Sequence, residues 1–325
     1  MSRIAVIPDL ELYDREIGHT RGYSDESLKN LDDIIDKIIE NNFDMALFAG
    51  DLVYNPFRSE TYRAQVYRRF MRLNNYLSSK MPDGVKIVRL DGETEVVNNT
   101  IFAVQGNHDK SPNKETFFKF LLDTGMIYTP IEMYDDKWSI NLLHYQKDAK
   151  AAIEQSYARG RDSSKYNIDA MHLELDGAGI INAFGELTSY GWNLLKADLT
   201  IAAHLHNANE LVEHERSDGT KFRLSVPGSI GRTKLNMSTQ RDFAQFVTVN
   251  LLTREEKHEA IELKNWQEFF DLGSSIRTQR LEKSLGSYSK DLEIHHFKSF
   301  DPKEMLNSMG LPQDVLETAL SYISQ

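Results

Sequence analysis

The residues of this chain best suited to chemistry form the segment Gly106-Asn107-His108-Asp109, directly after the apolar run 101–104. An amide oxygen can bind a metal ion, an imidazole can donate a proton, and a carboxylate can orient that imidazole. The same residue types also tolerate turn geometry, so the segment alone is ambiguous. If it is functional, it indicates metal-assisted or acid–base catalysis.

Three other apolar runs also end in residue types that bind metal ions. They are residues 4–8 before Asp9, residues 45–49 before Gly50-Asp51, and residues 199–203 before His204 and His206. His204 and His206 alternate along an extended segment, so both side chains face one side. Ligand sites in open α/β sheets lie at the carboxyl ends of strands. Four such runs favour one metal site over unrelated turns or helix caps.

Composition limits the metals and compartments that are compatible with this chain. It has 325 residues, of which 40% are hydrophobic, and no cysteine, which excludes thiolate sites and disulfides. The remaining ligand types favour Mn, Mg, Fe or Zn bound through oxygen and imidazole. No apolar stretch approaches the length of a membrane span, and the first residues do not resemble a signal peptide. We therefore expect a cytoplasmic protein without membrane association.

The net charge of −11 argues weakly against DNA as a partner, because DNA-binding proteins usually carry basic surfaces. This argument is weaker if several of the carboxylates face metal cations, because the cations reverse the local electrostatic potential. Arg68, Arg69 and Arg72 also cluster on the segment after Asp51. These arginines either contact phosphate or form an ordinary solvated helix face, and the sequence of this helix alone does not distinguish the two.

Helices are predicted between the apolar runs. Apolar residues at helical spacing indicate one over residues 28–39, and Ser59 is expected to cap a second that runs to Leu77. Asn113 is expected to cap a third, over residues 115–123. Alternation of strands and helices is typical of layered α/β folds.

The second half of the chain, residues 138–250, consists mainly of strand-like runs. After Thr253 the chain becomes charged and then helical in pattern. We therefore expect two regions: residues 1–253, which contain all the candidate metal ligands, and a small, mainly helical region over residues 254–325.

The order of the motifs resembles that of the calcineurin-like metallophosphoesterases over roughly residues 1–250. Within that superfamily, Gly50-Asp51-Leu52-Val53 is similar to a motif of SbcD-type DNA repair and recombination nucleases and their phage relatives. The segment 226–233, which contains Pro227-Gly228-Ser229, and the segment 241–243 are similar to further motifs of that branch.

The resemblance implies a four-layer αββα sandwich of two mixed β-sheets flanked by helices. It also implies two divalent metal ions, with Mn favoured and Mg, Fe or Zn as alternatives. Asp51 would bridge them, Asp9 and His206 would serve the first, and Asn107, His172 and His204 would serve the second. His108 would act on the leaving-group oxygen, and Asp109 would orient its imidazole.

Two points in this ligand set stay open. The lone histidine is His172 or His144; chain order and the spacing to His204 favour His172. Glu11 stands where the family usually has histidine, and Ala203 where it has glycine. A carboxylate can ligate Mn or Mg, so Glu11 is a candidate first-metal ligand that favours hard cations over Zn. The alternative is a weakened first site.

The function implied is that of an SbcD-like exonuclease or endonuclease that hydrolyses DNA with a hydroxide activated by two metals. Phosphate contacts are expected from residues on two rims of the site: Ser229, Arg232, Lys234, Arg68, Arg69 and Arg72. An ABC-type ATPase of the SbcC kind and a second copy of the chain are the partners that the resemblance implies. Residues 254–325 would serve as a capping and partner-binding region.

Two rival functions remain. One is a phosphoesterase that acts on small substrates, namely cyclic or linear nucleotides. The other is a catalytically decayed phosphoesterase that binds DNA or protein, for which Glu11 and Ala203 are the only support. Metal stoichiometry and cleavage of DNA distinguish these functions from a nuclease.

Overall fold

The computed structural model describes residues 2–17, 20–110, 115–158, 160–173, 194–208, 211–233 and 239–271. The chain divides into two compact units, Met1–Phe269 and Phe270–Gln325. The second unit lies outside the described residues except for its first two. The expected boundary after residue 253 differs from this division, because residues 255–262 form a strand of the first unit.

The described part of the first unit contains strands and helices in alternation. The strands are β1 (Arg3–Ile7), β2 (Met45–Ala49), β3 (Val85–Val88), β4 (Thr94–Val97), β5 (Ile101–Val104), β6 (Glu132–Tyr134), β7 (Trp138–Leu143), β8 (Tyr166–His172), β9 (Leu199–Ala203), β10 (Val212–Glu215), β11 (Lys221–Ser225), β12 (Phe243–Asn250) and β13 (Glu255–Glu262). The helices are α1 (Tyr23–Glu40), α2 (Glu60–Leu77), α3 (Phe117–Asp123), α4 (Ala149–Ala158) and the short α5 (Trp266–Phe269).

The strands form two mixed sheets. The first has the order β13-β12-β1-β2-β5, in which β1, β2 and β5 are parallel and β12 is antiparallel to both of its neighbours. The second has the order β10-β11-β9-β8-β7-β6-β3-β4, with a parallel centre from β11 to β7 and antiparallel pairs at both ends.

The two sheets enclose the main apolar core. Val6 and Leu47 of the first sheet pack in one cluster with Ile140, Ile168 and Ile201 of the second. Alternate residues of the second sheet face outward and pack in another cluster with Ile153 of α4.

On the outer side of the first sheet, Phe48 of β2 contacts Phe70 of α2, with 5.4 Å between ring centroids. Helix layers therefore cover both sheets, and the predicted αββα sandwich is confirmed. Within the described residues, none of the helices combines the length and apolar character needed to cross a bilayer.

Parallel strands position the candidate site. Since β1, β2 and β5 run in one direction, the residues that follow them emerge at one edge of the first sheet. The ends of β8 and β9 are likewise adjacent in the second sheet, where His172 pairs in register with Ala203. Strand ends of both sheets therefore carry the candidate ligands: Asp9, Asp51, Asn107, His172 and His204.

Candidate metal centre

The backbone at the strand ends adopts unusual conformations. Positive φ angles occur at Asp9 (27°), Glu11 (52°), Asp51 (45°) and His204 (78°), which are four of the six non-glycine residues with positive φ in the described part of the chain. Such conformations cost about 1–3 kcal/mol each and cluster at functional sites. The packing of the two sheets must therefore hold these four candidate ligands in place.

The candidate ligands of the second metal converge on one atom. Nε2 of His172 lies 3.2 Å from Asp51 Oδ2, 3.2 Å from Asn107 Oδ1 and 3.2 Å from His204 Nδ1. One ligand atom each from Asp51, His172 and His204 lies within 4.8 Å of the others. His172 is fully buried. Oxygen and imidazole donors at these separations fit a divalent cation.

The backbone near Asp51 leaves room for only a glycine at position 106. A Cβ at Gly106 would lie 2.1 Å from Asp51 Oδ1, far inside van der Waals contact. The same oxygen accepts a hydrogen bond of 2.9 Å from His108 N. Gly106 therefore allows the segment 106–109 to approach the carboxylate of the neighbouring strand end.

The candidate ligands of the first metal lie beside this cluster. Asp9 accepts hydrogen bonds from His204 N at 3.0 and 3.2 Å. Glu11 N donates to Asp51 O at 2.9 Å. His206 Nε2 lies 4.0 Å from Glu11 Oε1. Asp9, Glu11, Asp51 and His172 are buried, whereas His204 and His206 are half-buried, so the site extends from the interior to the surface.

The electrostatics of the cluster suit a cation. Burial alone would lower the pKa of His172, but Asp9 and Asp51 raise it to about 9. Burial raises the pKa of Asp9 to about 7. Burial and the neighbouring His204 lower the pKa of His206 to about 4, so this imidazole is neutral. A bound cation would favour ionised carboxylates and neutral imidazoles, the forms that ligate metals.

The imidazole of His108 has a different partner from the one expected. Its Nδ1 lies 3.0 Å from Tyr54 O, and its ring stacks on the Tyr54 ring with centroids 4.8 Å apart. Asp109 instead accepts hydrogen bonds from Val53 N at 3.1 Å and Gly106 N at 2.9 Å. Asp109 therefore ties two strand-end segments together, whereas Tyr54 orients His108.

A family comparison agrees with this geometry. The calcineurin-like phosphoesterase model matches residues 2–210, more than half of the chain. The chain belongs to the calcineurin-like phosphoesterase family. It is therefore a metallophosphoesterase, a hydrolase of a family that uses a dimetal centre. A comparison with curated proteins finds no match.

Solved structures show remote similarity to this calcineurin-like phosphoesterase. An archaeal phosphodiesterase is 13% identical with a TM-score of 0.36, over 80% of this chain and 99% of its own. A dimetal phosphatase from Danio rerio is 10% identical with a TM-score of 0.38, over 81% and 99%. A Haemophilus influenzae NAD nucleotidase is 10% identical with a TM-score of 0.41, over 81% and 50%.

Of the two candidates for the lone histidine, the structure brings His172 to the cluster. His144 lies elsewhere in the hydrogen-bond network of the calcineurin-like fold. Its Nδ1 accepts from Gln105 N at 2.9 Å, and its Nε2 lies 3.1 Å from Pro130 O, to which it can donate. Both ring nitrogens of His144 thus contact the backbone, which is a structural role.

Four of the six residues expected to contact substrate bind partners within the fold of this phosphoesterase. Arg69 forms a two-pronged ion pair with Asp32, and Arg72 pairs with Asp36 at 2.5 Å, so both join α2 to α1. Arg232 is buried against Glu26. All three guanidiniums therefore pair with carboxylates of α1.

The remaining three expected contacts differ in their surroundings. Ser229 is buried, and its Oγ donates to Gly231 O at 2.8 Å. Arg68 is exposed on α2. Lys234 lies outside the described residues.

Three residues near the cluster were not identified from the sequence as site residues. Tyr54 stacks on His108. The ring centroid of Tyr145 lies 6.4 Å from that of His172 and 5.9 Å from that of His204. Lys110 donates to Tyr145 O at 2.8 Å. In the sequence, only Lys110 could have been recognised as a site residue, because it directly follows Asp109. Nothing in the sequence distinguishes Tyr54 and Tyr145 from aromatic residues of the core.

Proposed function

We propose that this calcineurin-like phosphoesterase is a metal-dependent phosphodiesterase that hydrolyses DNA, as the SbcD-type nucleases do. The observation that carries the proposal is the convergence of Asp51, Asn107 and His204 on Nε2 of His172, at 3.2 Å each. The similarity of residues 50–53, 226–233 and 241–243 to nuclease motifs supports DNA as the substrate.

Two half-sites sharing Asp51 would hold the metal ions. Asn107, His172 and His204 form one, and Asp9, Glu11 and His206 form the other. When bound, two divalent ions would lower the pKa of a water molecule and offset charge on the phosphoryl oxygens. The buried carboxylates of Asp9 and Glu11 make the first half-site rich in oxygen, which supports Mn or Mg over Zn.

His108 would serve the leaving group. Tyr54 O engages Nδ1 at 3.0 Å, which leaves Nε2 as the atom that can pass a proton to the leaving oxygen or hydrogen-bond to it. Stacking on Tyr54 fixes the plane of the imidazole. His108 N also donates to Asp51 Oδ1 at 2.9 Å, so the backbone of His108 is tied to the shared carboxylate.

Substrate would be held by groups beside the cluster. Lys110 supplies positive charge next to Tyr145, with Nζ 5.8 Å from the centroid of that ring. The half-buried rings of Tyr54 and Tyr145 offer surfaces on which a base could stack, as aromatic side chains do in single-strand binding proteins. These groups replace the buried Ser229 and Arg232 as the proposed substrate contacts.

A second candidate is hydrolysis of small nucleotides, cyclic or linear. The observation that favours it is the internal pairing of Arg69, Arg72 and Arg232, since an extended DNA contact would use more free cations. A small substrate requires only the groups immediately around the cluster.

Cleavage assays distinguish these functions. We would measure Mn-dependent cleavage of labelled single- and double-stranded DNA beside hydrolysis of bis(p-nitrophenyl) phosphate. His108→Ala is the test variant, and His214→Ala on the edge strand β10 is the matched control. DNA cleavage that is lost in the first variant and kept in the second is the expected result.

Other outcomes favour the rivals. Hydrolysis of the small diester without any cleavage of DNA favours a small-nucleotide phosphoesterase. No hydrolysis of either substrate, together with fewer than two Mn ions per chain, favours a decayed phosphoesterase that acts as a binding module.

We also propose, from the resemblance alone, an ABC-type ATPase of the SbcC kind and a second copy of the chain as partners. Residues 272–325, which contain most of the expected partner-binding region, lie outside the described residues. Light scattering of the full chain measures the oligomeric state, and a monomer at micromolar concentration would contradict the homodimer.

A further inference from the structure

A row of ring contacts connects His108 to an arginine. His108 stacks on Tyr54 with 4.8 Å between ring centroids. Tyr54 in turn meets Tyr13 edge-on, with centroids 5.5 Å apart. The guanidinium carbon of Arg15 lies 4.9 Å from the centroid of the Tyr13 ring, and Nη2 of Arg15 donates to the hydroxyl of Tyr13. Arg15 is therefore linked to the catalytic imidazole through two tyrosine rings.

Backbone contacts between two loops hold this row in place. Leu12, in the loop after β1, accepts a hydrogen bond from Tyr54 N at 3.0 Å, in the loop after β2. The carboxylate of Asp14 accepts a further hydrogen bond from Ser59 N at 2.6 Å, directly before α2. The loop after β1 is thus fixed against the loop after β2, which keeps the two tyrosine rings in contact.

Arg15 keeps part of its charged side chain accessible. The side chain is 40% exposed, and its Nε lies 3.6 Å from the buried Asp14 Oδ1, too far for a hydrogen bond. A guanidinium carries several N–H donors, so the hydroxyl of Tyr13 leaves donors for an anionic ligand. The surroundings of Arg15 thus differ from those of the three arginines that pair with carboxylates of α1: Arg69, Arg72 and Arg232.

The position of Arg15 relates to one side of the substrate. Under the proposed function, Nε2 of His108 acts on the leaving oxygen, so the departing part of a phosphodiester lies beside His108 and Tyr54. The half-buried ring of Tyr54 offers a surface for the first base of that part. Arg15 is the cation that the row of rings places next along this side.

We propose that Arg15 binds the backbone phosphate next to the scissile one, on the departing side of a polynucleotide strand. Guanidinium and phosphate form charge-assisted and frequently bidentate hydrogen bonds. A small diester has no second phosphate, so Arg15 would select DNA over small nucleotides. Tyr13 is 8% exposed and acts as a positioning residue that holds Arg15. This inference rests on the proposed hydrolysis of DNA.

The test compares substrates that carry one phosphate with a substrate that carries several. We would measure kcat/KM in Mn²⁺ on decathymidylate, on the dinucleotide TpT and on bis(p-nitrophenyl) phosphate. We expect Arg15→Gln to lower kcat/KM for decathymidylate roughly tenfold and to leave the two single-phosphate substrates near wild type. Arg15→Lys should recover part of the loss, because it keeps the charge without the bidentate geometry.

Salt dependence provides a second readout, which a merely structural role would not change. Each phosphate contact on a single strand adds about 0.7 to the slope of log affinity against log salt concentration. The slope of log kcat/KM for decathymidylate should therefore be shallower by about 0.7 in Arg15→Gln. Tyr13→Phe removes only the hydroxyl that accepts from Arg15, and it should cause a smaller loss that is again confined to decathymidylate.

Trinucleotides with one uncharged linkage test the side of the strand. When a methylphosphonate replaces one phosphate of TpTpT, a single cleavable phosphate remains, with the neutral linkage on its 5′ or its 3′ side. The products show which fragment departs. Relative to TpTpT, wild type should lose roughly tenfold in kcat/KM only when the neutral linkage lies in the departing fragment. Arg15→Gln should not distinguish the two isomers.

Arg3→Gln is the matched control. The guanidinium carbon of Arg3 lies 4.6 Å from the centroid of the Phe43 ring, and Nη1 donates to Asn41 O, so Arg3 resembles Arg15 in its aromatic support. Arg3 begins β1, whereas the candidate metal centre lies beyond the other end of that strand. This variant should leave kcat/KM and the salt slope unchanged.

Several results would overturn the proposal and leave DNA hydrolysis intact. They are an unchanged kcat/KM of Arg15→Gln on decathymidylate, an equal loss in Arg3→Gln, an equal loss on all three substrates, or sensitivity to the neutral linkage on the opposite side. Wild type that hydrolyses bis(p-nitrophenyl) phosphate but neither decathymidylate nor TpT would instead contradict the proposed DNA substrate, and the inference with it.

Discussion

Nδ1 of His172 lies 3.1 Å from the carbonyl oxygen of Ala49, the last residue of β2. A carbonyl accepts only from a protonated nitrogen, so this bond keeps the proton on Nδ1 and leaves Nε2 for a metal. It also joins the two sheets, because His172 ends β8 in one sheet and Ala49 ends β2 in the other. The orientation of the central ligand is therefore set by the sandwich itself.

Replacement of His172 should remove metal while leaving the fold intact. We expect His172→Asn to reduce bound Mn by at least one ion per chain, measured by elemental analysis after gel filtration. His144→Asn is the control: it breaks backbone contacts at Gln105 and Pro130, so it should lower the Tm and keep the metal. Loss of metal in the His144 variant alone would reverse the assignment.

The metal-free protein should lose stability as the pH rises from about 6.5 to about 9. The pKa of His172 is raised to about 9 in the folded chain, so its stabilising protonation is complete below 6.5 and lost through about 9. Asp9 and Asp109, whose pKa values burial raises to about 7, act in the same direction. Each loses its stabilising proton as the pH passes about 7.

Thermal melts in EDTA and in Mn²⁺ between pH 6 and 9.5 measure this dependence. A metal ion takes the place of the proton on Nε2 of His172, so the Mn-induced rise in Tm should increase with pH. A metal-free Tm that is constant or increases between pH 7 and 9 would contradict the expected sign.

Tyr54 should affect catalysis through its ring. Tyr54→Ala removes the surface on which His108 stacks and should lower kcat about tenfold, less than the roughly hundredfold or larger loss expected for His108→Ala. Tyr54→Phe keeps the ring and should stay near wild type. The comparison uses kcat and KM for the small diester, with metal content measured for each variant. Equal losses in Tyr54→Phe and Tyr54→Ala would assign the effect to the hydroxyl.

Asp109 should prove more important for stability than for chemistry. Asp109→Asn replaces an acceptor of two backbone N–H bonds by an amide that can accept through only one atom. Leaving a buried donor unsatisfied costs about 1–3 kcal/mol, which denaturant unfolding can measure. The folded fraction should retain far more activity than His108→Ala. A hundredfold loss of kcat with unchanged stability would instead support the role expected from the resemblance, in which Asp109 orients the imidazole of His108.

Lys110 should act on substrate binding. We expect Lys110→Ala to raise KM for DNA and to flatten its salt dependence, because Lys110 carries a charge beside the cluster. Arg72→Ala is the control, since Arg72 is paired with Asp36 of α1. A larger effect on KM for Arg72→Ala than for Lys110→Ala would point to α2 as the DNA-binding rim.

Local patterns in the sequence predicted much of the framework. Continuous apolar runs are typical of strands buried on both faces, and the runs before Asp9, Asp51 and Asn107 are strands in the structure. The Ser59 cap of α2 is confirmed, with Oγ accepting from Tyr62 N at 3.2 Å. These features depend on residues close together in the chain.

Other local expectations were wrong because competing signals lay nearby. Thr116 caps α3, which begins at Phe117 and not at residue 115; Asn113, the expected cap, lies outside the described residues. The charged stretch after Thr253 is the edge strand β13, whose exposed face is polar. An edge strand of this kind resembles a linker in its composition.

The sequence alone determined the residue types of the site, the strand ends that carry them, and the glycine at position 106. Tertiary structure decided which histidine joins the cluster, which partner orients His108, and which arginines pair with carboxylates of α1. Those choices depend on contacts between distant segments: His172 meets Ala49 across 123 positions, and Arg232 meets Glu26 across 206. Periodicity reports only the face on which a side chain lies, whereas the packing of two sheets selects what it touches.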